Sequence, residues 1–297
     1  MKKRSEHGRY FFIVNPAAKN GRAPATWEKA KHFLLSEGID FQFAVSRNEA
    51  ELAELARAAV DQGFTVVSVG GDGTFNRIAA SFMGSDTPLG LIPAGTGNDF
   101  ARTFKIPTDP VEAVRVLLAG NTVSVDLGVM NQRCFCNVAG VGLDAEVAAE
   151  ANRIKKRWGP LAYLCALFKQ LLFYRPQPIT LQIDGKTLQT KAWLIALANG
   201  RYYGNGMMVA PFADPTDGVF EVIVVTDISR LHFLRLLPLV FSGKHINIPA
   251  VRCFRGREIA VRSSVPLAVH ADGEVAGKTP LSVRAYRGAV SLLVPQE

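Results

Sequence analysis

Hydrophobic and polar positions follow two different textures along the chain. In residues 1–121, short apolar runs are separated by stretches of helical period. Tyr10–Val14 reads as a short buried strand, and Phe41–Val45, Phe64–Val69 and Leu89–Ile92 read as three further strands. Trp27, Ala30, Phe33 and Leu34 keep a helical stripe up to Gly38, with Pro24 in the first turn, where its missing N–H does no harm. Leu52, Leu55, Ala56, Ala59 and Val60 form a second stripe. Ser46 and Glu49 read as an S-x-x-E capping box ahead of it. After the third strand, Thr74–Met83 resumes a helix. Strands and helices alternating this densely predict an α/β domain with a parallel sheet.

From residue 122 to 297 strand-like runs dominate: Thr122–Val129, Ile179–Ile183, Ala192–Ala198, Val219–Val225, Glu258–Val261, Ser282–Ala285 and Ala289–Val294. Gly, Pro and Asp punctuate them, which predicts a mainly antiparallel β-sandwich. Two helical inserts interrupt it, Asp144–Phe173, broken at Gly159-Pro160, and Ser229–Phe241. The last strands are free to return to the first domain.

Composition narrows the function classes. The 297 residues suit two domains rather than one. With 48% hydrophobic and 20% charged residues, the chain is neither disordered nor fibrous. Four cysteines are too few and too scattered for a disulfide framework; Cys134 and Cys136, if on one strand, share a face. The five histidines show no zinc-ligand spacing. A net charge of +8 suits nucleic acid, anionic lipid or phosphorylated substrates alike. No nucleic-acid-binding signature accompanies it, so no nucleic acid is expected. The basic start Met1–Gly8 is no cleavable signal, and the longest apolar stretch, Pro160–Leu167, falls far short of the ~20 residues that span a bilayer. A cytoplasmic protein without a transmembrane span is expected.

Two glycine loops follow neighbouring predicted strands. In Gly70-Gly71-Asp72-Gly73-Thr74 the glycines let backbone approach an anion, and the helix behind offers N–H groups. Asp72 would repel phosphate unless a cation stood between, which points to Mg²⁺. Pro93-Ala94-Gly95-Thr96-Gly97-Asn98-Asp99 is the second loop; Thr96 can bond phosphate or ribose, and Asn98 or Asp99 can cap the next helix. Walker and dinucleotide fingerprints are missing: the third glycine of G-x-G-x-x-G is Asn76, and neither Gly-Lys-Thr tripeptide has a glycine at the required upstream position.

VNPAAKNGRA (14–23), VGGDGTFN (69–76), PAGTGNDFAR (93–102), VDLG (125–128), PFADPTDGVFEV (211–222) and HADGE (270–274) occur in that order. In order and approximate spacing they resemble the bacterial diacylglycerol kinase-like lipid kinases, over nearly the whole chain. GGDGT is shared with NAD kinases and phosphofructokinases; GTGNDFAR followed by a late DGE is far more specific. The resemblance implies an NAD kinase/diacylglycerol kinase-like α/β nucleotide-binding domain, a β-sandwich second domain, and ATP and Mg²⁺ as cofactors. By the family pattern Asn15, Pro16, Ala17, Ala18, Lys19, Ser46, Gly71, Asp72, Gly73, Thr74, Phe75, Asn76, Arg77 and Thr96 would line the ATP site. Asp217, with the carbonyls of Asp214 and Val219, would form a structural Mg²⁺ site, with Asp126 in its water network. Asp272 and Glu274 match the catalytic acidic pair, beside Asp72. Two positions depart from the pattern: Arg77 stands where Glu is usual, and Ala18-Lys19 where Ser-Gly is common.

Phosphoryl transfer to an alcohol needs in-line positioning, neutralised phosphate charge and a carboxylate to take the proton. Either Asp272 or Glu274 can serve, and Glu274 is favoured; Asp272-Gly273 also reads as a hairpin turn. Leu161, Leu164, Cys165, Phe168, Leu171 and Leu172, preceded by Arg153, Lys155, Lys156 and Arg157, form one apolar helix with a basic end. Leu231, Phe233, Leu234, Leu236, Leu237, Leu239 and Phe241, with Arg230 and Arg235, form another. Such helices either pack in a core or lie at a lipid interface. The expectation is therefore an ATP- and Mg²⁺-dependent lipid kinase, acting at a membrane surface by peripheral contact, with diacylglycerol as acceptor. An NAD kinase-like or other soluble-substrate kinase and an inactive nucleotide- or lipid-binding protein are the alternatives. Oligomeric state, a homodimer included, is left open.

Overall fold

The computed structural model describes residues 9–158 and 162–296. The basic start Met1–Gly8, the Gly159-Pro160 break and Leu161 lie outside the described residues, as do the side chains of Lys155, Lys156, Arg157 and Leu164. The chain forms two compact units, Met1–Leu127 with Arg287–Glu297, and Gly128–Tyr286.

The first unit is an α/β layer structure. Its strands are β1 (Tyr10–Val14), β2 (Phe41–Val45), β3 (Thr65–Gly70) and β4 (Ser85–Pro93), all parallel, in the order β4-β3-β1-β2. Its helices are α1 (Ala18–Gly21), α2 (Ala23–Ser36), α3 (Glu49–Asp61), α4 (Asp72–Ala80), α5 (Asp99–Thr103) and α6 (Pro110–Ala119). Strand period explains the apolar runs. Tyr10, Phe12 and Val14 face the layer of α2 and α6 and pack with Trp27, Leu34, Val114 and Leu117. The Trp27 ring lies 4.9 Å from Phe12. Ile13, on the opposite face, is also fully buried, so both faces of β1 are covered and its sequence is apolar throughout. Each such buried side chain contributes about 1.5–3 kcal/mol.

Helix α6 carries clear end signals. The Asp109 carboxylate accepts the N–H groups of Val111 and Glu112, Pro110 sits in the first turn, and Gly120 closes the helix at φ 72°. The expected capping box at Ser46 is corrected. Ser46 is buried, and its N–H bonds the Val14 carbonyl at 2.9 Å, continuing the β1–β2 pairing. The cap of α3 is Asn48, whose Oδ1 accepts the Glu51 N–H at 3.1 Å.

The second unit is a β-sandwich-like body with helices on one outer face. The chain enters it within β5 (Thr122–Met130) and continues through β6 (Arg133–Phe135), β7 (Val138–Gly142), α7 (Leu143–Trp158), α8 (Ala162–Phe173), β8 (Gln177–Ile183), β9 (Lys186–Ala198) and β10 (Phe220–Thr226). After α9 (Arg230–Val240) come β11 (Val251–Gly256), β12 (Glu258–Ser263), β13 (Ala268–Ala271), β14 (Glu274–Lys278) and β15 (Leu281–Leu293). The runs expected as two final strands are the single strand β15, kept continuous through Gly288 at φ 59°. Its last part pairs parallel to β4 of the first unit, Val290 beside Ser85. Cys136 falls just beyond β6, so the two nearby cysteines do not share a strand, and no described cysteine is in a disulfide.

Strand β9 shows why this unit is apolar on two faces. Ile195 and Leu197 enter the inter-strand core with Val222 and Leu281. Trp193, Ala196 and Ala198 enter a second core with Val147 of α7, Leu167 of α8 and Phe233 of α9. The two apolar helices thus divide their residues. Leu171, Phe233 and Leu236 are buried, whereas Phe168, Leu172, Phe173, Leu231 and Phe241 are exposed. Arg230 joins the helices by donating to the Leu171 carbonyl at 2.8 Å and the Tyr174 carbonyl at 3.2 Å, at the C-terminal end of α8.

Glu150 ties α7 to α8 through Lys169 at 2.7 Å and also pairs with Arg153 at 2.9 Å. Hydrogen bonds from Arg153 and Lys169 lower its pKa from 4.5 to about 2. A lowered carboxyl stabilises the fold above its unfolded pKa, and that contribution is lost as pH falls through the folded one. The difference in unfolding midpoint between wild type and Glu150→Gln is expected to be open above pH 4.5 and to close as pH falls toward about 2. A pH-independent difference contradicts this.

Candidate active site

Three loops meet at the carboxyl ends of β1, β3 and β4, the edge at which open parallel sheets bind ligands. Gly70 pairs with Pro93, so the two glycine loops leave the sheet side by side. The Ala94 N–H bonds the Gly70 carbonyl at 2.7 Å. A Cβ on Gly71 would lie 3.0 Å from the Gly95 Cα, and one on Gly95 would run into the Gly71 backbone. Only residues without side chains permit this approach. Asn15 joins the third loop: its Nδ2 donates to Thr74 Oγ1 at 2.9 Å, and its Oδ1 accepts the Ala17 N–H at 3.0 Å.

Asp72 opens α4, and its Oδ1 accepts the Phe100 N–H at 2.8 Å. The carboxylate that the sequence reserves for a cation therefore also supplies the cap of α5. Asn98, one of the two expected caps, stands at φ 51°, caps no helical N–H and instead exchanges hydrogen bonds with Gly95, at 2.9 and 3.2 Å. Beneath the loops Phe75 stacks on Phe100 at 4.2 Å, so the Phe75 ring belongs to the core and only its backbone can face a ligand. Around this floor Gly73, Thr96, Ala17 and Lys19 are exposed, and Pro16, Ala18, Gly71 and Asn76 are half-buried. The N-cap of α4 is Gly71, which has no side chain to cap the helix, and a helix start of this kind is suited to an anion. Two expected ligands are otherwise engaged. The Ser46 hydroxyl is buried and faces the Val14 carbonyl at 3.4 Å. Arg77 pairs with Glu49 of α3 at 2.6 Å.

In the second unit Asp272 and Gly273 form the two-residue turn between β13 and β14, at φ 46° and 83°. The motif is thus a hairpin turn, as one reading of the sequence allowed. Both Asp272 carboxylate oxygens accept backbone N–H groups: Cys136 at 2.7 Å, Asn137 at 3.0 Å and Val138 at 2.9 Å. The Asp272 N–H donates to the Val138 carbonyl at 2.9 Å. Asp272 therefore fastens the turn to the chain entering β7, while Glu274, the next strand's first residue, is exposed.

With this geometry in view, comparison with known proteins decides the family. Residues 9–130 match the diacylglycerol kinase catalytic domain, and residues 137–294 match the YegS C-terminal NAD kinase beta sandwich-like domain. A diacylglycerol kinase of Mycobacterium tuberculosis (strain H37Rv) is 33% identical over 302 residues, covering 99% of this chain and 97% of that protein. The chain belongs to the diacylglycerol kinase family of lipid kinases.

A diacylglycerol kinase of Staphylococcus saprophyticus is 29% identical, covering 96% and 95% of the two chains. A solved Bacillus anthracis structure superposes with a TM-score of 0.81 at 21% identity, covering 98% of this chain and 99% of its own. Another, of a diacylglycerol kinase from the same organism, gives 0.75 at 18%, covering 98% of each. At these identities the structural likeness concerns the fold.

The turn expected to hold a structural Mg²⁺ is hydrogen-bonded within the protein. Oxygen donors are the right chemistry for that ion. Yet Asp217 Oδ1 accepts the Val219 N–H at 3.0 Å, Oδ2 takes the Arg255 guanidinium, and the Asp214 carbonyl accepts the Asp217 N–H at 3.3 Å. Arg255, which also pairs with Glu221 at 3.2 Å, supplies the positive charge there. Burial raises the Glu221 carboxyl above its ordinary range; Arg255 opposes the rise and Asp217 adds to it. Asp217 is thus already paired with a cationic side chain, and among the described residues no group of three or more His, Cys, Asp or Glu is arranged to hold a metal. Asp126 is buried in the first unit and accepts the Gly288 N–H at 2.7 Å.

Sequence reasoning passed over a buried pair beside the acidic turn. His270 Nε2 lies 2.7 Å from Asp144 Oδ2. The available signals were the histidine inside HADGE and the glycine at 140, over which both side chains lie.

The loop contact can be tested directly. Gly95→Ala must force the Gly71 and Gly95 backbones apart, at a cost of about 1–3 kcal/mol. Gly73→Ala meets nothing within 4 Å and is expected to leave stability unchanged. Denaturant unfolding separates the two, and equal midpoints contradict the packing.

Proposed function

We propose that this protein transfers the γ-phosphoryl group of ATP, in the presence of Mg²⁺, to the free hydroxyl of diacylglycerol, giving phosphatidic acid. The observation that carries the reading is the close-packed pair of glycine loops at the uncapped start of α4, which offers backbone N–H groups to a polyphosphate. It occurs in a chain whose relatives are named diacylglycerol kinases.

The roles follow from the chemistry. The Asn15–Lys19 segment, residues 71–76 and Thr96 bind the nucleotide, with the exposed Lys19 amine toward phosphate charge. Mg²⁺, when bound, neutralises phosphate oxygens. Asp72 is the residue that would hold it, through Oδ2. Glu274 accepts the proton of the acceptor hydroxyl as that oxygen bonds to the γ-phosphorus and the bond to the β-phosphate oxygen breaks. Asp272 holds the turn and does not compete, because its oxygens are taken by backbone N–H groups.

A lipid acceptor is supported on the second unit. A cavity of about 100 Å³ is lined by apolar side chains of α7, β9, β10 and α9, with Asp144 among its few polar groups. Exposed Phe168, Leu172, Phe173 and Leu231 stand with the exposed cations Arg175, Arg230 and Arg235. That combination suits the surface of an anionic bilayer, at about 1 kcal/mol per Lys or Arg. No described helix is long and apolar enough to cross a membrane.

The test is transfer of γ-labelled phosphate from ATP to diacylglycerol in anionic vesicles, against a panel of other lipid and soluble alcohols. Label is expected in phosphatidic acid, less so at high salt. Glu274→Gln is expected to lower turnover by about 10²–10⁴-fold. Label confined to soluble acceptors, or full turnover in Glu274→Gln, contradicts the reading.

A further inference from the structure

Glu274 owes its position to the residue before it. Gly273 is held at both of its peptide groups, and both holds lead to α7. The Gly273 N–H donates to His270 Nδ1 at 3.2 Å, and its carbonyl accepts from Asn152 Nδ2 at 2.9 Å. Because Nδ1 accepts, the ring proton is on Nε2, which donates to Asp144 at 2.7 Å. The histidine thus links the two, an acceptor toward the turn and a donor toward the first turn of α7.

Three features show that the link is built. His270 is fully buried, and Asp144 nearly so. Tyr203 stacks flat on the imidazole, with centroids 5.0 Å apart and planes 14° apart, and fixes the ring plane. Gly140, paired with His270 across β7 and β13, leaves open the space that the His270 ring and the Asp144 carboxylate fill; a Cβ there would collide with both. A buried polar pair of this kind gains little stability over apolar residues of the same shape. Its value lies in what it orients.

We propose that Asp144, His270 and Asn152 are positioning residues for Glu274: α7 grips Gly273 by its N–H and its carbonyl and thereby sets where the Glu274 carboxylate stands. This rests on the lipid kinase reading of Glu274. None of the three transfers a proton.

The substitutions separate the bonds. Asp144→Asn keeps an oxygen that can accept from Nε2–H. Asp144→Ala removes it. His270→Gln keeps a donor toward Asp144 and releases Gly273. Asn152→Ala, at an exposed site, releases the Gly273 carbonyl without disturbing the core. With diacylglycerol and ATP, kcat is expected to fall about 10- to 100-fold in Asp144→Ala and His270→Gln, and by a smaller factor in Asn152→Ala. The KM for ATP should stay within about twofold, and Asp144→Asn should recover most of the loss. Adding Asn152→Ala to Glu274→Gln should cost nothing further, because the effect runs through Glu274. Amide hydrogen exchange at Gly273–Val275, which needs no substrate, should quicken at least about tenfold in Asn152→Ala, whose folding is least at risk. Unchanged exchange and unchanged kcat in that variant overturn the proposal. Quickened exchange in Asn152→Ala together with a wild type that phosphorylates no lipid overturns the kinase reading and leaves the grip standing.

Discussion

The constraint on which the first unit depends is the passage of two backbones at Gly71 and Gly95 with no room for a side chain on either. Neighbouring parallel strands deliver both loops to the same edge, but strand pairing alone would leave them splayed. Asp72 closes them by capping α5 from the other loop, so one carboxylate terminates one helix from the first residue of another. Phe75 and Phe100, stacked below, give that bond a rigid floor. A helix start without its own side-chain cap is thereby presented to solvent on a fixed base. Such a site binds an anion with little reorganisation, which is what a kinase needs for a polyphosphate.

The second unit follows the same logic with a different device. Its acidic turn is a tight hairpin whose first residue is fully engaged by three backbone N–H groups. That engagement separates two carboxylates two positions apart: Asp272 fastens the turn to the backbone, and Glu274 is exposed. Arg255 on Asp217 is a third case of a carboxylate given a fixed partner, here a guanidinium.

Much of this was legible in the sequence. Tyr10–Val14 and Phe41–Val45 are strands at the expected bounds; the first is buried and apolar throughout, whereas the second, at the end of the strand order, is largely exposed and carries Gln42. Both glycine loops and the DGE motif were visible as chemistry. Other features depended on contacts that no local pattern encodes. Ser46 and Asn48 each precede a glutamate by three residues, and the sheet decided between them by using the Ser46 N–H for β1–β2 pairing. Gly288 read as a turn because glycine punctuates, yet β15 runs through it while its N–H bonds Asp126. The helix α6 went unread although Asp109-Pro110 and Gly120 mark its ends. Asp144 and His270 stand 126 residues apart, and only the β7–β13 pairing brings them together.

The proposed role of the paired loops of the first unit is to bind a triphosphate through backbone N–H groups. The most direct measurement is the amide nitrogen–proton spectrum of the protein titrated with ATP and Mg²⁺. Gly71, Gly73, Thr74 and Thr96 are expected to shift together and saturate with a single Kd. Saturable shifts confined to other residues, with these four unmoved, would contradict it.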